Sequence, residues 1–191
     1  MVIFKVIYWA GMIAEVVIRA PYYKNPKAAK AEQRVSRIEQ VLLTLLTLGG
    51  VILPLIYSVT RWLDFANYSL PLWMGWLGVL LLIFALIVFY YAHKDLGSNW
   101  SPSLEVYESH ALVTNGIYGY IRHPMYATQW IFSVAQILLL QNWIAGPASL
   151  AVFIPFYLLR VKAEEKMMLD QFGDQYREYM NRTGAVIPKI G

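Results

Sequence analysis

Long apolar runs alternate with short polar stretches along the chain, and the runs have the length of a bilayer. Crossing hydrocarbon takes about 20 apolar residues in a helix. The runs Val41 to Val59 and Trp73 to Tyr91 carry no charged residue. Two more, Pro124 to Gln141 and Trp143 to Leu159, are joined by the short turn Gln141-Asn142-Trp143-Ile144-Ala145-Gly146-Pro147 and read as a helical hairpin. Pro147 and Pro155 each remove a backbone donor and are expected to start or kink the last run. The first run, Val2 to Ala20, is interrupted by Lys5, Glu15 and Arg19. Pro21, Tyr22 and Tyr23 follow it in place of a small-residue cleavage site, so it reads as a retained helix. Glu15 has two readings, a buried polar contact to a neighbouring helix or a functional group.

Loop charge orients these five predicted spans. Lys24, Lys27, Lys30, Arg34 and Arg37 follow the first run, and Lys162, Lys166, Arg177, Arg182 and Lys189 follow the last. The connection after the second run has only Arg61, offset by Asp64, and the hairpin turn has no Lys or Arg. With the N-terminus outside, every strongly basic segment falls on the cytoplasmic side. The loop His93 to His123 and the C-terminal tail then share that face.

Composition agrees with the pattern. Of 191 residues 58% are hydrophobic and 15% charged, too much apolar surface for a soluble domain of this length. The expected fold is an all-α integral membrane protein of about five transmembrane helices with a cytoplasmic C-terminal helical tail. It reads as one domain, 1–191, with residues 1–92 holding the N-terminal helices and 93–191 the catalytic loop, hairpin and tail. The net charge of +4 reports topology rather than nucleic-acid binding. The absence of cysteine excludes disulfides, thiol catalysis and Cys-type zinc sites.

Two polar clusters flank the hairpin. In the first, His110 to Tyr126, Thr114-Asn115-Gly116 reads as a turn with Gly116 free to take positive φ. That turn would bring the backbone of His110 to Val113 toward a ligand, with Leu112 and Val113 as an apolar wall suited to a purine. Pro124 fits the first turn of a helix. The free N–H groups beyond it, beside Arg122 and His123, would attract an anion or a carboxylate-bearing cofactor. The competing reading is interfacial anchoring, with Arg122 snorkelling and Tyr118, Tyr120 and Tyr126 in an aromatic belt. In the second cluster Arg160 and Glu164 lie four apart and would form an i,i+4 pair. Alternatively Arg160 holds an anionic substrate while Glu164 or Glu165 holds a hydroxyl or cationic group of a cofactor. Met168, Phe172, Tyr176 and Tyr179 recur at helical spacing beyond it, and Gly173-Asp174 predicts a break and re-cap. The three histidines, His93, His110 and His123, lack metal-ligand spacing.

Taken together, Leu112-Val113-Thr114-Asn115-Gly116-Ile117-Tyr118, Arg122-His123-Pro124-Met125-Tyr126, Arg160 through Glu165 and Phe172-Gly173-Asp174-Gln175-Tyr176 closely resemble the isoprenylcysteine carboxyl methyltransferase family. That family belongs to a wider group including phospholipid methyltransferases. The resemblance covers Trp100 to Pro188; Ala127 stands where many relatives have glycine, and Ser98 to Ser109 does not match closely. It implies a helical membrane enzyme, not a Rossmann domain, that uses S-adenosylmethionine. Carried over by position, His110, Ala111, Leu112, Val113, Tyr118, His123, Pro124, Met125, Tyr126 and Glu164 would contact the cofactor, and Arg160 the substrate.

The expected activity is methylation of the carboxylate of an isoprenylcysteine-like or other lipophilic substrate, small molecule or protein C-terminus, at the cytoplasmic membrane face. A carboxylate is already ionised at neutral pH and needs only orientation, which arginine supplies without accepting a proton. An amine acceptor would need a base, and Glu165 or His110 would serve. Arg160 and Glu165 are therefore the catalytic candidates. The alternatives are a phospholipid N-methyltransferase, an NADPH-dependent membrane sterol-type reductase, and a non-catalytic membrane module. Membrane lipids are expected partners and nucleic acid is not. The site would face the cytoplasm from the plasma membrane of a prokaryote or the endoplasmic reticulum of a eukaryote.

Overall fold

A computed structural model describes residues 2–24, 37–97 and 112–189. Among them the secondary structure is helical, with two isolated bridges in place of strands. Helix α1 is Val2–Arg19. Helix α2, Arg37–Thr47, continues through a π-helical turn, Leu48–Ile52, into α3, Leu53–Val59. Helix α4 is Leu72–Leu96, α5 is Pro124–Leu140, α6 is Ala148–Phe172 and α7 is Asp174–Arg182.

Two of these, the continuous Arg37–Val59 and Leu72–Leu96, are long and apolar enough to cross a membrane, with mean hydropathies of 2.1 and 2.6. Helix α5 is apolar but shorter. Large apolar side chains lie exposed along the bundle, including Val6, Ile13 and Val17 on α1, Leu80, Ile83 and Phe84 on α4, and Leu158 and Leu159 on α6. A surface so apolar in water would be unusual and in lipid is ordinary.

The π turn runs into Pro54, which has no N–H and so donates neither to the carbonyl of Gly50, four residues back, nor to that of Gly49, five back in the π register. Other helices supply replacements. The Tyr8 hydroxyl donates to the Gly50 carbonyl at 2.5 Å, and the Gln136 side-chain amide donates to the Gly49 carbonyl at 3.0 Å. Backbone groups away from water must be satisfied within the protein, and here that requirement ties α1, α2 and α5 together. The core follows the same contacts: Phe4, Tyr8, Tyr57, Leu82, Phe132 and Leu139 are buried against one another. A cavity of about 270 Å³ lies beside it, bordered by Glu15 and Arg19 of α1, Thr47 of α2, Gln129 and Gln136 of α5 and Ser149 of α6.

The hairpin departs from expectation at one end. Helix α6 begins at Ala148, because Trp143 to Pro147 is a turn. The Asn142 side-chain oxygen accepts the backbone N–H groups of Ile144 and Ala145, at 3.0 and 2.9 Å, which holds the turn, and α6 starts directly after Pro147, one of the two prolines expected to start or kink it. Pro155 sits inside α6 without ending it, and the helix runs on to Phe172. Gly173 then takes φ of 52° and α7 restarts at Asp174, the break the sequence predicts. Glu15 pairs within its own helix, 3.6 Å from Arg19, rather than with a neighbouring helix as expected.

Candidate active site

The first polar cluster is held in place by groups on three elements. Gly116 has φ of 57°, and a Cβ there would lie 2.1 Å from an Asp95 carboxylate oxygen. That carboxylate, near the end of α4, accepts the Ile117 N–H at 2.8 Å. The buried Tyr118 donates its hydroxyl to the Ala92 carbonyl at 3.3 Å, and its own carbonyl accepts the Tyr179 hydroxyl at 2.6 Å. From the other side the tail adds a strap. The N–H groups of Arg122 and His123 donate to the carbonyls of Gly184 and Ala185, both at 2.9 Å.

This clamping delivers His123 and Tyr126 to the face of α6. Pro124 occupies the first turn of α5, with His123 immediately before it. The His123 ring is buried; one ring nitrogen is 3.5 Å from Glu164 Oε1 and the other 3.2 Å from Glu165 Oε1. Burial disfavours the charged imidazolium, but the two carboxylates outweigh it and lift the His123 pKa to about 9. Tyr126 donates its hydroxyl to Glu164 Oε2 at 2.6 Å. Burial would raise the Glu164 carboxyl, yet His123, Tyr126 and Arg160 hold it below the usual carboxylate range. Hydrogen bonding from His123, together with the Arg122 guanidinium, lowers Glu165 as well despite its burial. Beyond the carboxylates, the rings of Tyr126, Trp130, Phe153 and Tyr157 pack between α5 and α6, with centroids 5.2 to 6.4 Å apart where they meet.

Arg122, which the sequence leaves between an anion site and an interfacial anchor, is a structural key. Its Nε and one terminal nitrogen donate to Glu165 Oε1 at 3.2 and 2.9 Å, and the other terminal nitrogen donates to the carbonyls of Met180, at 3.3 Å, and Thr183. It thereby locks the loop, α6 and the tail together. Arg160 differs more from expectation. It does not form the i,i+4 pair; Glu164 is turned to His123 and Tyr126. Arg160 instead donates to Glu39, in the first turn of α2, and its guanidinium lies 5.5 Å from the Phe156 ring centroid. Three cations, Arg122, His123 and Arg160, thus face three carboxylates, Glu39, Glu164 and Glu165.

Of the other expected cofactor contacts, Leu112, Val113 and Met125 are half-buried and Pro124 is fully buried. His110, Ala111 and the segment Ser98 to Ser109 lie outside the described residues. Tyr176 and Tyr179 of α7 are buried, so their spacing reflects packing.

Comparison with known proteins follows the same residues. The family model for the isoprenylcysteine carboxyl methyltransferase (ICMT) family matches residues 76–170. A protein-S-isoprenylcysteine O-methyltransferase of Tribolium castaneum is 31% identical over 144 residues, 71% of this chain and 51% of that protein. The protein of that name from Dictyostelium discoideum is 32% identical over 146 residues, 71% of this chain and 59% of its own length. The human one is 29% identical over 142 residues, 70% and 50%. The chain thus spans between half and three-fifths of the length of these relatives. A solved structure of a eukaryotic intramembrane Ras methyltransferase, an isoprenylcysteine carboxyl methyltransferase, superposes with a TM-score of 0.58 at 22% identity. It covers 97% of this chain and 63% of its own, and shows a shared fold. Both sides of the polar seam, His123 and Tyr126 on one and Arg160 to Glu165 on the other, fall within residues 76–170, over which the chain matches the isoprenylcysteine carboxyl methyltransferase family.

Proposed function

We propose that this chain is an S-adenosylmethionine-dependent methyltransferase that methylates the carboxylate of an isoprenylcysteine-like or other lipophilic acceptor at the cytoplasmic face of a membrane. The observation that carries the reading is the seam between α5 and α6, where His123 and Tyr126 hold Glu164 while Arg160 sits one turn earlier on α6. The family match and the activity named for its relatives support the reaction class.

The residues fit the cofactor's chemistry. Glu164, held ionised, suits its ammonium or sulfonium charge. The start of α5 and the cationic Arg122 and His123 suit its carboxylate. The rings of Tyr126, Trp130 and Tyr157 add the π faces that favour a cation. When bound, S-adenosylmethionine supplies an electrophilic methyl group on sulfur. The protein's task is then positioning and exclusion of water. In this reading Arg160 orients the acceptor's carboxylate with its planar fork. Glu165 is spent on Arg122 and His123, and its lowered pKa makes it a weak base. That favours an ionised carboxylate acceptor over an amine, and assigns Glu165 to positioning His123.

Isothermal titration of detergent-purified protein with S-adenosylhomocysteine and with NADPH separates the classes. Binding of the first alone is expected; NADPH binding would indicate a reductase, and binding of neither a non-catalytic module. A screen with labelled methyl donor should then show transfer to a prenylcysteine. Transfer to a phospholipid amine instead would install the N-methyltransferase reading.

A further inference from the structure

The pair between Arg160 and Glu39 joins residues 121 positions apart, and each side chain is only 11% exposed. It is not a surface accident. Arg160 nevertheless remains incompletely satisfied, because its Nε is buried with no hydrogen-bond partner among the described residues. It also lies within electrostatic reach of Tyr126 and Glu164, so it borders the polar seam. Glu39 comes from the opposite wall, α2, none of whose residues Arg37–Thr47 is buried. One partner is therefore on the helix that carries the site, and the other on a separate helix, α2.

Resting on the function proposed above, we propose that Glu39 is a built-in competitor for the acceptor's carboxylate and so a specificity-determining residue. It occupies Arg160 between turnovers, yields it to an incoming carboxylate, and takes it back after transfer. The charges require such an exchange. Methyl transfer forms one oxygen–carbon bond and breaks one carbon–sulfur bond, whose electron pair stays on sulfur; no proton moves. The acceptor enters as an anion and leaves as an uncharged ester. A neutral ester cannot match a carboxylate for a guanidinium, so Glu39 regains Arg160 and the product is released from it. A lipophilic molecule without a carboxylate would have to bind against the intact Glu39–Arg160 pair, which selects against it.

Glu39→Gln tests this with two ligands, N-acetyl-S-farnesylcysteine and its methyl ester, by measuring Kd for each on detergent-purified protein saturated with S-adenosylhomocysteine. Removing the competitor should tighten the acid about three- to tenfold while leaving the ester within about twofold, and KM for the acid should fall more than kcat. A purely structural clamp predicts the opposite, equal weakening of acid and ester. Unchanged or weaker acid binding, with ester binding retained, overturns the proposal. If Glu39→Gln loses both ligands and melts early, Glu39→Asp, which keeps the charge but shortens the reach, is read by the same acid-to-ester ratio. Wild-type protein that binds neither ligand would remove the proposed function itself, whereas a normal wild type with an unshifted Glu39→Gln removes only the competitor.

Discussion

Two carboxylates on successive residues of α6 share one imidazole, and this arrangement sets how the site responds to pH. The His123 pKa is raised to about 9, so its contribution to stability is complete below its unfolded value of about 6.5 and is lost as pH rises through 9. Glu164 and Glu165 are lowered, so theirs is present above the unfolded carboxyl range and lost as pH falls through it. The melting temperature should hold between about pH 5 and 6.5 and decline toward pH 9, and His123→Gln should flatten the alkaline decline. A decline that survives in His123→Gln would place its origin elsewhere. His123→Ala and Tyr126→Phe each remove a partner of Glu164, and each should weaken S-adenosylhomocysteine by roughly ten- to a hundredfold, about 1–3 kcal/mol. Unaltered affinity in both variants, if folded, would move the cofactor site away from the start of α5. His123, Tyr126 and Glu164 are legible in the sequence because their order and spacing resemble a family pattern. Glu39 is not, because a glutamate opening an apolar helix reads as a charge at a helix N-terminus, and no local spacing links it to an arginine far along the chain. Arg122 is visible, but its bonds to the tail are not, since no local spacing shows that the tail returns to meet it.

At the scale of elements, backbone groups without helical partners do much of the joining. Beside Pro54, which has no N–H to donate, Tyr8 and Gln136 reach from other helices to the carbonyls of Gly50 and Gly49. Tyr8→Phe should therefore cost about 1–3 kcal/mol despite leaving the ring in place, since a buried carbonyl is left unpaired. A thermal melt within error of wild type would mean that the Gly50 carbonyl finds another donor. The glycines with positive φ make a sharper comparison. Gly173 has open space around its missing Cβ, whereas Gly116 faces Asp95. Gly173→Ala should cost about 1 kcal/mol, and Gly116→Ala more, with loss of S-adenosylhomocysteine binding as the loop shifts. Equal effects of the two would deny Asp95 its part in shaping the loop. The apolar runs locate the helices to within a few residues because burial and length alone decide them. The apolar run alone puts the start of α6 five residues early, at Trp143, whereas Pro147 marks it, because Trp143 to Pro147 is apolar yet folds as a turn.

The described residues form a helical bundle with large apolar side chains exposed along it, and its cluster of Arg122, His123, Arg160, Glu164 and Glu165 lies where the start of α5 meets α6. The hairpin turn at the other end presents Trp143, 69% exposed. With no native cysteine, single cysteines report topology cleanly. In intact cells Trp143→Cys should react with an impermeant thiol reagent, and Lys189→Cys should react only after permeabilisation. The reverse pattern would invert the proposed orientation, and reaction of both would break the odd number of crossings between them. Charge in the connecting segments carries this expectation. The number of spans is hard to read from apolarity, since α1 carries Lys5, Glu15 and Arg19 and is held by specific polar contacts.

The strap formed by residues 184 and 185 also bears on when the site comes into being. His123 and Arg122 take their backbone acceptors from carbonyls more than sixty positions downstream. During synthesis α1 to α5 can enter the membrane long before those carbonyls exist. The loop can be clamped only after residues 184 and 185 have been synthesised, and an alteration at Ala185 amounts to an alteration of the site.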